Sequence, residues 1–325
     1  MKTWPNYQAQ ELLSVLLQSK KEWHNNYLTM FSSVWGGFSL DPQLWSIPAD
    51  DHMVHRADGI FEAFKCVDGR VYCLNEHLER LKHSADSISL TLPPMISHIE
   101  DILREAYVLG GKVDFQGRIC VSRGPGSFSV NPYESKGPEL YVVTIKLKKI
   151  PPEVLKKGVS LATVPFPAKT EFAGVKSVDY LHNALAKKAA IDQGAEYAVS
   201  FDRDGFLTEG PTENVVVVTK NRELLAPPWE RILKGITLVR VLEKAQGLVS
   251  KGTLKWAGNR DIHRDELFDL AEEVFLTATT YDVLPVSTWD KRPIGSGTSG
   301  PVASELMALI EEETRTDNPH TTSLK

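Results

Sequence analysis

The chain is organised around Gly174-Val175-Lys176-Ser177-Val178-Asp179-Tyr180-Leu181-His182-Asn183, where a lysine closely follows a glycine and precedes a run with helical spacing at residues 181–193. A second polar stretch, Thr208-Glu209-Gly210-Pro211-Thr212-Glu213-Asn214, ends a predicted hairpin. A lysine amine can hold an aldehyde as an imine, and a carboxylate can keep a ring nitrogen protonated. Either residue alone is more often a solvated surface charge, but together they suit a cofactor that accepts electrons.

Composition and charge narrow the class of protein. The 325 residues are 42% hydrophobic and 24% charged, which is typical of a globular chain long enough for two cores. The net charge of −5 gives no reason to expect a nucleic acid or an anionic membrane as partner. No apolar run approaches the length of a membrane span, and no histidine or cysteine spacing suggests a metal site. The three cysteines form no Cys-x-x-Cys pair and no secretory signal is visible, so we expect free thiols and a cytoplasmic location.

Three segments are expected along the chain. Residues 1–45 form an N-terminal helical extension, with leucines on one helix face at residues 12–17 that either pack on the main body or cover an active site or a second subunit. Residues 46–150 form a small α/β domain and residues 151–325 a large one, divided at the charged, proline-bearing stretch around residues 146–153. The tail from residue 314 to residue 325 is expected to be disordered.

In the smaller domain, arginines mark the candidate anion sites. A strand is predicted after the Asp58-Gly59 turn, with Phe61 on it, and a helix is predicted over residues 74–85. Arg80 lies beside the apolar face of that helix, where its guanidinium fits a phosphate or simply extends from the helix edge to solvent. Arg118 and Arg123 belong to a strand that runs into a glycine-rich loop at residues 124–128.

In the larger domain, two stretches suit an anion. Gly235-Ile236-Thr237 opens a predicted helix, whose first N–H groups and threonine hydroxyl can bind a negative group. The predicted strand at residues 273–280 ends in the small and hydroxylated residues Ala278 and Thr279.

Taken in order from about residue 50 to residue 312, these motifs resemble the class IV, fold-type IV pyridoxal-phosphate enzymes. That family includes D-amino-acid aminotransferases, branched-chain aminotransferases, (R)-selective amine transaminases and aminodeoxychorismate lyases. The resemblance implies an α+β fold of two α/β domains with pyridoxal 5'-phosphate in the cleft between them, and typically a homodimer.

The resemblance also implies a role for each motif. Lys176 would carry the cofactor and move the substrate's α-proton, and Glu209 would face the ring nitrogen. Substrate would meet Phe61 and either Arg118 or Arg123. The phosphate would be held by five residues, namely Arg80, Ile236, Thr237, Ala278 and Thr279.

The substrate motifs disagree among the subfamilies. Phe61 stands where D-amino-acid aminotransferases often carry tyrosine, and Phe128 and Val130 replace the Arg-x-His carboxylate trap of the bacterial enzymes. Residues 122–128 are closer to plant-type members, whereas Val130-Asn131-Pro132 is similar to the branched-chain group. The favoured function is transfer of an amino group between an amino acid, expected to be a D-amino acid, and a 2-oxo acid. The alternatives are aminodeoxychorismate lyase, a branched-chain or (R)-amine transaminase, and a non-enzymatic vitamin-binding protein of the same fold.

Overall fold

The structure is a computed structural model that describes residues 2–165 and 173–325. Its helices are α1 Ala9–Gln18, α2 His52–Arg56, α3 Leu74–Ser87, α4 Ile99–Leu109, α5 Pro152–Lys157, α6 Leu181–Asp192, α7 Ile236–Ser250, α8 Arg264–Leu270 and α9 Pro301–Arg315. Its strands are β1 Tyr27–Ser32, β2 Gly37–Ser39, β3 Gly59–Val67, β4 Arg70–Tyr72, β5 Phe115–Ser122, β6 Glu139–Lys146, β7 Val159–Thr163, β8 Tyr197–Val199, β9 Asn214–Thr219, β10 Glu223–Ala226, β11 Trp256–Asn259, β12 Ala271–Ala278, β13 Asp282–Trp289, β14 Arg292–Pro293 and β15 Thr321–Ser323. No helix among the described residues has both the length and the apolar character that crossing a membrane requires.

The first sheet is antiparallel, in the strand order β15-β4-β3-β5-β6-β1-β2. Its core side chains share one apolar cluster with α3 and α4, which explains the leucine and isoleucine spacing of both helices. β3 is the central strand for function: nearly all of it is buried, and on it the carboxylate of Glu62 is fully buried between the apolar residues Ile60 and Phe64. A buried carboxylate at that position requires a partner inside the protein.

The second sheet is mixed, in the order β11-β10-β9-β12-β13-β7-β8. Its interior strand β9 is buried at every position, as its run of four valines predicts for a strand covered on both faces. α7 and α9 pack in the apolar cluster on one face of the sheet, while Trp289 and Phe201 belong to the cluster on the other face. Residues 147–151 connect the first sheet to the elements of the second.

The N-terminal segment differs from the expected helical extension. Only Ala9–Gln18 forms an α-helix, and none of its residues is buried, so α1 does not pack into either core. Residues 27–39 instead contribute β1 and β2 to the first sheet, where Thr29 hydrogen-bonds Thr144 at 2.7 Å and Phe31 is buried.

The C-terminal tail is ordered, contrary to the expected disorder. β15 adds to the edge of β4, and Leu324 is buried in the core of the first sheet. His320 Nδ1 lies 2.6 Å from Glu76 Oε1 beside the buried Cys73, so a hydrogen bond fastens the tail to the start of α3. The tail gains a strand partner and a buried leucine, which together offset the entropy of ordering it.

Candidate active site

One cavity brings together the residues that the sequence motifs selected. Seven of them line it, from α3, the segment before α6, the loop before β9, the start of α7 and the end of β12: Arg80, Lys176, Glu209, Ile236, Thr237, Ala278 and Thr279. Three substrate-side candidates, Phe61, Arg118 and Arg123, lie on β3, β5 and just after β5. The shared cavity is what the sequence analysis required of the cofactor residues, although it does not assign a role to any one of them.

The backbone of Lys176 is fixed by the elements of the first sheet. Its carbonyl oxygen accepts the N–H of Phe61 at 2.9 Å, and its own N–H donates to the buried Ser84 hydroxyl of α3 at 3.1 Å. Two residues on, Val178 N–H donates to the Gly59 carbonyl at 3.0 Å, so the segment pairs with β3 like a short extra strand. Lys176 is thus positioned by the first sheet, although α6 and the second sheet follow it in the chain.

The side chain of Lys176 lies among aromatic rings and opposing charges. Its Nζ is 4.8 Å from the centre of the Phe61 ring and 3.5 Å from the Tyr180 hydroxyl oxygen. Burial and the neighbouring Arg80 cation lower the pKa of Lys176 to about 8, while Glu62 and Glu209 oppose that shift. A substantial fraction of this amine is therefore neutral near physiological pH, as a nucleophile or a proton acceptor must be.

Glu209 is oriented by two donors. Its Oε2 accepts the Leu233 N–H at 3.0 Å and the Asn214 side-chain amide at 2.9 Å, and that amide also donates to the Leu233 carbonyl at 3.0 Å. Gly235 leaves the room for this arrangement, because a Cβ there would lie 1.9 Å from Asn214 Oδ1. Burial raises the pKa of Glu209 to about 8 in spite of the Leu233 hydrogen bond and the Lys176 charge.

A cationic group opposite Glu209 would restore its charged form. The protonated nitrogen of a pyridine ring is such a group, and it also donates the hydrogen bond that a carboxylate accepts. The acid therefore fits the ring end of pyridoxal phosphate.

Arg80 has a protein partner that the sequence analysis did not identify. Its Nε and Nη2 donate to the two carboxylate oxygens of Glu62 at 2.8 and 2.7 Å, and its Nη1 donates to the Lys234 carbonyl at 2.8 Å. His77 Nδ1 donates to the same carboxylate at 2.7 Å, and these charges lower the pKa of Glu62 to about 2 although burial opposes the shift. A guanidinium has five N–H donors, so two remain for an anion in the cavity.

Further residues of the cavity wall offer donors that have no hydrogen-bond partner among the described residues. α7 begins after Gly235, so the N–H groups of Ile236 and Thr237 are those that an α-helix leaves unpaired at its N-terminus. On the end of β12, the buried Thr277 hydroxyl lines the cavity and has no hydrogen-bond partner among the described residues. Together with the free donors of Arg80, this wall fits the phosphate of the same cofactor.

The two candidate arginines on the substrate side differ in their hydrogen-bond partners and exposure. Arg123 donates through Nε to Asp58 at 2.6 Å and through its other nitrogens to the carbonyls of Ser89 and Ile88 at 2.9 and 3.0 Å, which ties it to the framework. The exposed Arg118 guanidinium lies 5.1 Å from the centre of the Phe61 ring. Arg118 is therefore next to the ring that Lys176 approaches, and its guanidinium N–H groups have no hydrogen-bond partner among the described residues.

Tyr180 was not selected from the sequence, although it lies in the quoted stretch. Its ring meets Phe61 edge to face at a centroid distance of 5.1 Å, and its hydroxyl is the group near Lys176 Nζ. The signal was the position of Tyr180, four residues after Lys176 and directly before α6. Glu62 was also missed, and the signal there was a lone acid among apolar residues on a buried strand.

Known aminotransferases are similar to this chain over most of its length. The model of the family described as amino-transferase class IV matches residues 59–289. The chain is 37% identical over 295 residues to the chloroplastic D-amino-acid transaminase of Arabidopsis thaliana, which covers 90% of this chain and 78% of that protein. It is 31% identical over 282 residues to a putative branched-chain-amino-acid aminotransferase of Methanocaldococcus jannaschii, which covers 85% of this chain and 94% of that protein.

Two further proteins are similar to this chain, one in sequence and one in structure. The D-alanine aminotransferase of Bacillus licheniformis is 29% identical over 266 residues, which cover 82% of this chain and 91% of that protein. Among solved structures, the T.th. branched-chain amino acid aminotransferase with pyridoxamine 5'-phosphate superposes with a TM-score of 0.83 at 26% identity, covering 92% of this chain and 99% of that one.

Proposed function

The chain belongs to the class IV aminotransferase family, whose members use pyridoxal phosphate, and we propose that it transfers the amino group of a D-amino acid to a 2-oxo acid. The D configuration is supported by two relatives: the D-amino-acid transaminase of Arabidopsis thaliana and the D-alanine aminotransferase of Bacillus licheniformis. We assign the roles of Lys176, Glu209 and Arg80 because all three residues line the same cavity.

Lys176 and Glu209 act at the reacting end. When bound, pyridoxal phosphate draws the electrons of the broken C–H bond into its ring. The Lys176 amine, neutral in part because its pKa is lowered to about 8, would carry the cofactor. Once the substrate's amino group had displaced it, the freed amine would accept the proton from the substrate's α-carbon. Glu209 would hold the proton on the ring nitrogen, so that the ring would keep its positive charge.

Five residues anchor the phosphate. Arg80 contributes its two remaining guanidinium N–H groups, while Ile236 and Thr237 contribute the start of α7. Ala278 and Thr279 border the same wall. These contacts come from both sheets, so that binding of the cofactor orients Lys176 relative to the substrate.

Arg118 and Phe61 set the substrate side. Arg118 lies next to Phe61 with free donors, so it is the arginine that meets the substrate carboxylate, whereas Arg123 is committed to Asp58. Phe61 has no hydroxyl, so it packs against the apolar part of the substrate instead of binding an oxygen.

The apolar ring of Phe61 beside the lysine favours a second candidate, a branched-chain amino acid as the amino donor. The putative branched-chain-amino-acid aminotransferase of Methanocaldococcus jannaschii is a relative of similar length. In this reading Phe61 contacts an aliphatic side chain.

A substrate panel tests both candidates. Purified protein supplied with pyridoxal phosphate is given the D- or L-enantiomer of alanine, glutamate, leucine or valine, or an (R)-amine, with pyruvate or 2-oxoglutarate as acceptor, and the keto product is measured. We expect the D-amino acids to react at least tenfold faster than their L-enantiomers. A preference for L-leucine and L-valine would assign the branched-chain function. Release of pyruvate and 4-aminobenzoate from aminodeoxychorismate, with no keto acid added, would assign the lyase function.

We also propose a homodimer located in the cytoplasm. Apolar side chains near the site are left exposed on the single chain, among them Leu181 at 69% and Phe128 at 65%, and a second copy would cover them. The three cysteines are unpaired, which suits a reducing compartment. Light scattering on the purified full chain should give about twice the mass of one chain, and a monomer would refute the dimer.

A further inference from the structure

We propose that Lys65 is a positioning residue for the cofactor phosphate: through Asp282 it fixes the turn between β12 and β13, which carries Ala278 and Thr279, against the first sheet. The inference rests on the proposed roles of Ala278 and Thr279. It adds to them a pair of residues that do not line the cavity.

The contact between Lys65 and Asp282 joins the two sheets. Lys65 lies on β3 and is 3% exposed, and its Nζ is 2.5 Å from both carboxylate oxygens of Asp282 at the start of β13. Asp282 is paired in register with Ala278, so residues 279–281 form the intervening turn. Movement of Asp282 would therefore move the end of β12.

The backbone at Asp282 indicates that its position is constrained. Its φ is +61°, in the left-handed region that favours glycine, although aspartate tolerates it better than most residues. A residue is kept in that region when the structure around it determines its placement. Here the carboxylate is required by the buried ammonium of Lys65, which would otherwise have no compensating charge.

The same pair connects to the start of α7. Lys65 Nζ lies 5.5 Å from the ring centre of Tyr72, and the Tyr72 hydroxyl donates to Glu313 Oε2 at 2.6 Å. Glu313 also accepts from Arg240 of α7 at 2.6 Å. Arg240 is one turn after Ile236. The network therefore reaches both segments that we assign to the phosphate, namely the start of α7 and the end of β12.

The side chains of this network have few alternative hydrogen-bond partners, because they are buried. Tyr72, Arg240 and Glu313 are 3%, 7% and 9% exposed. Hydrogen bonds in such surroundings are stronger than in water, and a missing partner is correspondingly costly. The first sheet therefore holds the phosphate wall through paired charges, in addition to the contact of Arg80.

The test compares two ligands that differ only in the phosphate. The full-length apoprotein of Lys65→Met is titrated with pyridoxal phosphate and with pyridoxal, next to the wild type. We expect the affinity for pyridoxal phosphate to fall about tenfold or more, as for coupled members of one network, while the affinity for pyridoxal changes less than threefold. Lys65→Arg, which keeps the cation, should recover most of the loss.

Controls separate the possible failures. Lys149→Met removes a lysine from an exposed ion pair with Asp114 and should change neither affinity. If Lys65→Met does not fold, Asp282→Asn tests the same contact from the other side. The proposal would be overturned if the variant lost affinity equally for pyridoxal phosphate and pyridoxal, or if its affinity for pyridoxal phosphate were unchanged. A wild type that binds no pyridoxal phosphate would instead overturn the proposed function.

Discussion

Phe61 donates its backbone N–H to the carbonyl oxygen of Lys176 at 2.9 Å, which joins the central strand of the first sheet to the segment that leads into the second. The same strand carries Glu62, which holds Arg80, and Lys65, which holds Asp282. β3 therefore positions the backbone of Lys176, the guanidinium of Arg80 and the carboxylate of Asp282. Changes on this strand should be felt at both ends of the cofactor.

Replacing Lys176 with alanine should abolish aminotransferase activity, since no other described residue offers an amine to the cavity. The visible absorption of lysine-bound cofactor should disappear in the same variant. Lys188→Ala is the matched control, because Lys188 is exposed on α6 and only pairs with Asp192, and it should keep both activity and colour. A band that survives in Lys176→Ala would mean that another lysine carries the cofactor.

The pH dependence of cofactor binding should follow the Lys176 amine. Its pKa is lowered from the ordinary 10.5 to about 8, so the neutral form grows about tenfold per pH unit below 8 and then levels off. Stopped-flow rates of pyridoxal phosphate binding to the apoprotein should show this shape. Glu209 has a pKa of about 8 as well, so the profile is repeated in Glu209→Gln, where the inflection should persist. Rates that climb steadily to pH 10 would contradict the assignment.

Replacing Glu209 with glutamine should lower activity without lowering stability. The amide cannot hold a positive ring, so kcat should fall about 10²–10³-fold, the usual loss when one electrostatic partner of the reacting centre is removed. Burial raises the pKa of this acid above 4.5, so its ionised form destabilises the fold at neutral pH. The midpoint of thermal unfolding of the apoprotein should therefore stay or rise. The exposed Glu196→Gln serves as control, and a variant with full activity would remove Glu209 from the site.

The sequence sufficed for the parts of the site that rely on local chemistry. A helix start at Ile236, a lysine before a helix and an arginine beside an apolar helix face can each be recognised from a few neighbouring residues. The structure places these residues around one cavity. Strand β9 was also predictable, because a run of valines fits only a strand covered on both faces.

The parts that could not be predicted depend on distant contacts. The partner of Arg80 is Glu62, and nothing in either local pattern indicates that pairing. Arg118 and Arg123 appeared equivalent, because only the fold shows that Asp58 and two carbonyls occupy Arg123. The polar tail could be ordered only by an edge strand of the first sheet, to which it is remote in sequence.

Replacing Glu62 with glutamine should destabilise the protein by about 3–5 kcal/mol, because it leaves the buried Arg80 without its counter-charge. The pKa of Glu62 is lowered from 4.5 to about 2, so its stabilising effect is complete above pH 4.5 and is lost as the pH falls towards 2. Urea unfolding of the wild type and the variant should thus differ most at neutral pH and converge in acid. Glu76→Gln, at a partly exposed hydrogen bond to His320, should cost far less. A difference that does not change with pH would contradict the ionised state of Glu62.

The two arginines on the substrate side should fail in different ways when each is replaced by glutamine. Arg118 is exposed beside Phe61, so its loss should raise the KM for the amino acid about tenfold or more and leave the unfolding midpoint nearly unchanged. Arg123 bonds Asp58 and two backbone carbonyls, so its loss should lower the midpoint and leave KM nearly unchanged in the folded protein. An amine substrate without a carboxylate provides the control, since its KM should not respond to Arg118→Gln. If KM instead responded to Arg123→Gln and not to Arg118→Gln, the substrate carboxylate would be assigned to Arg123.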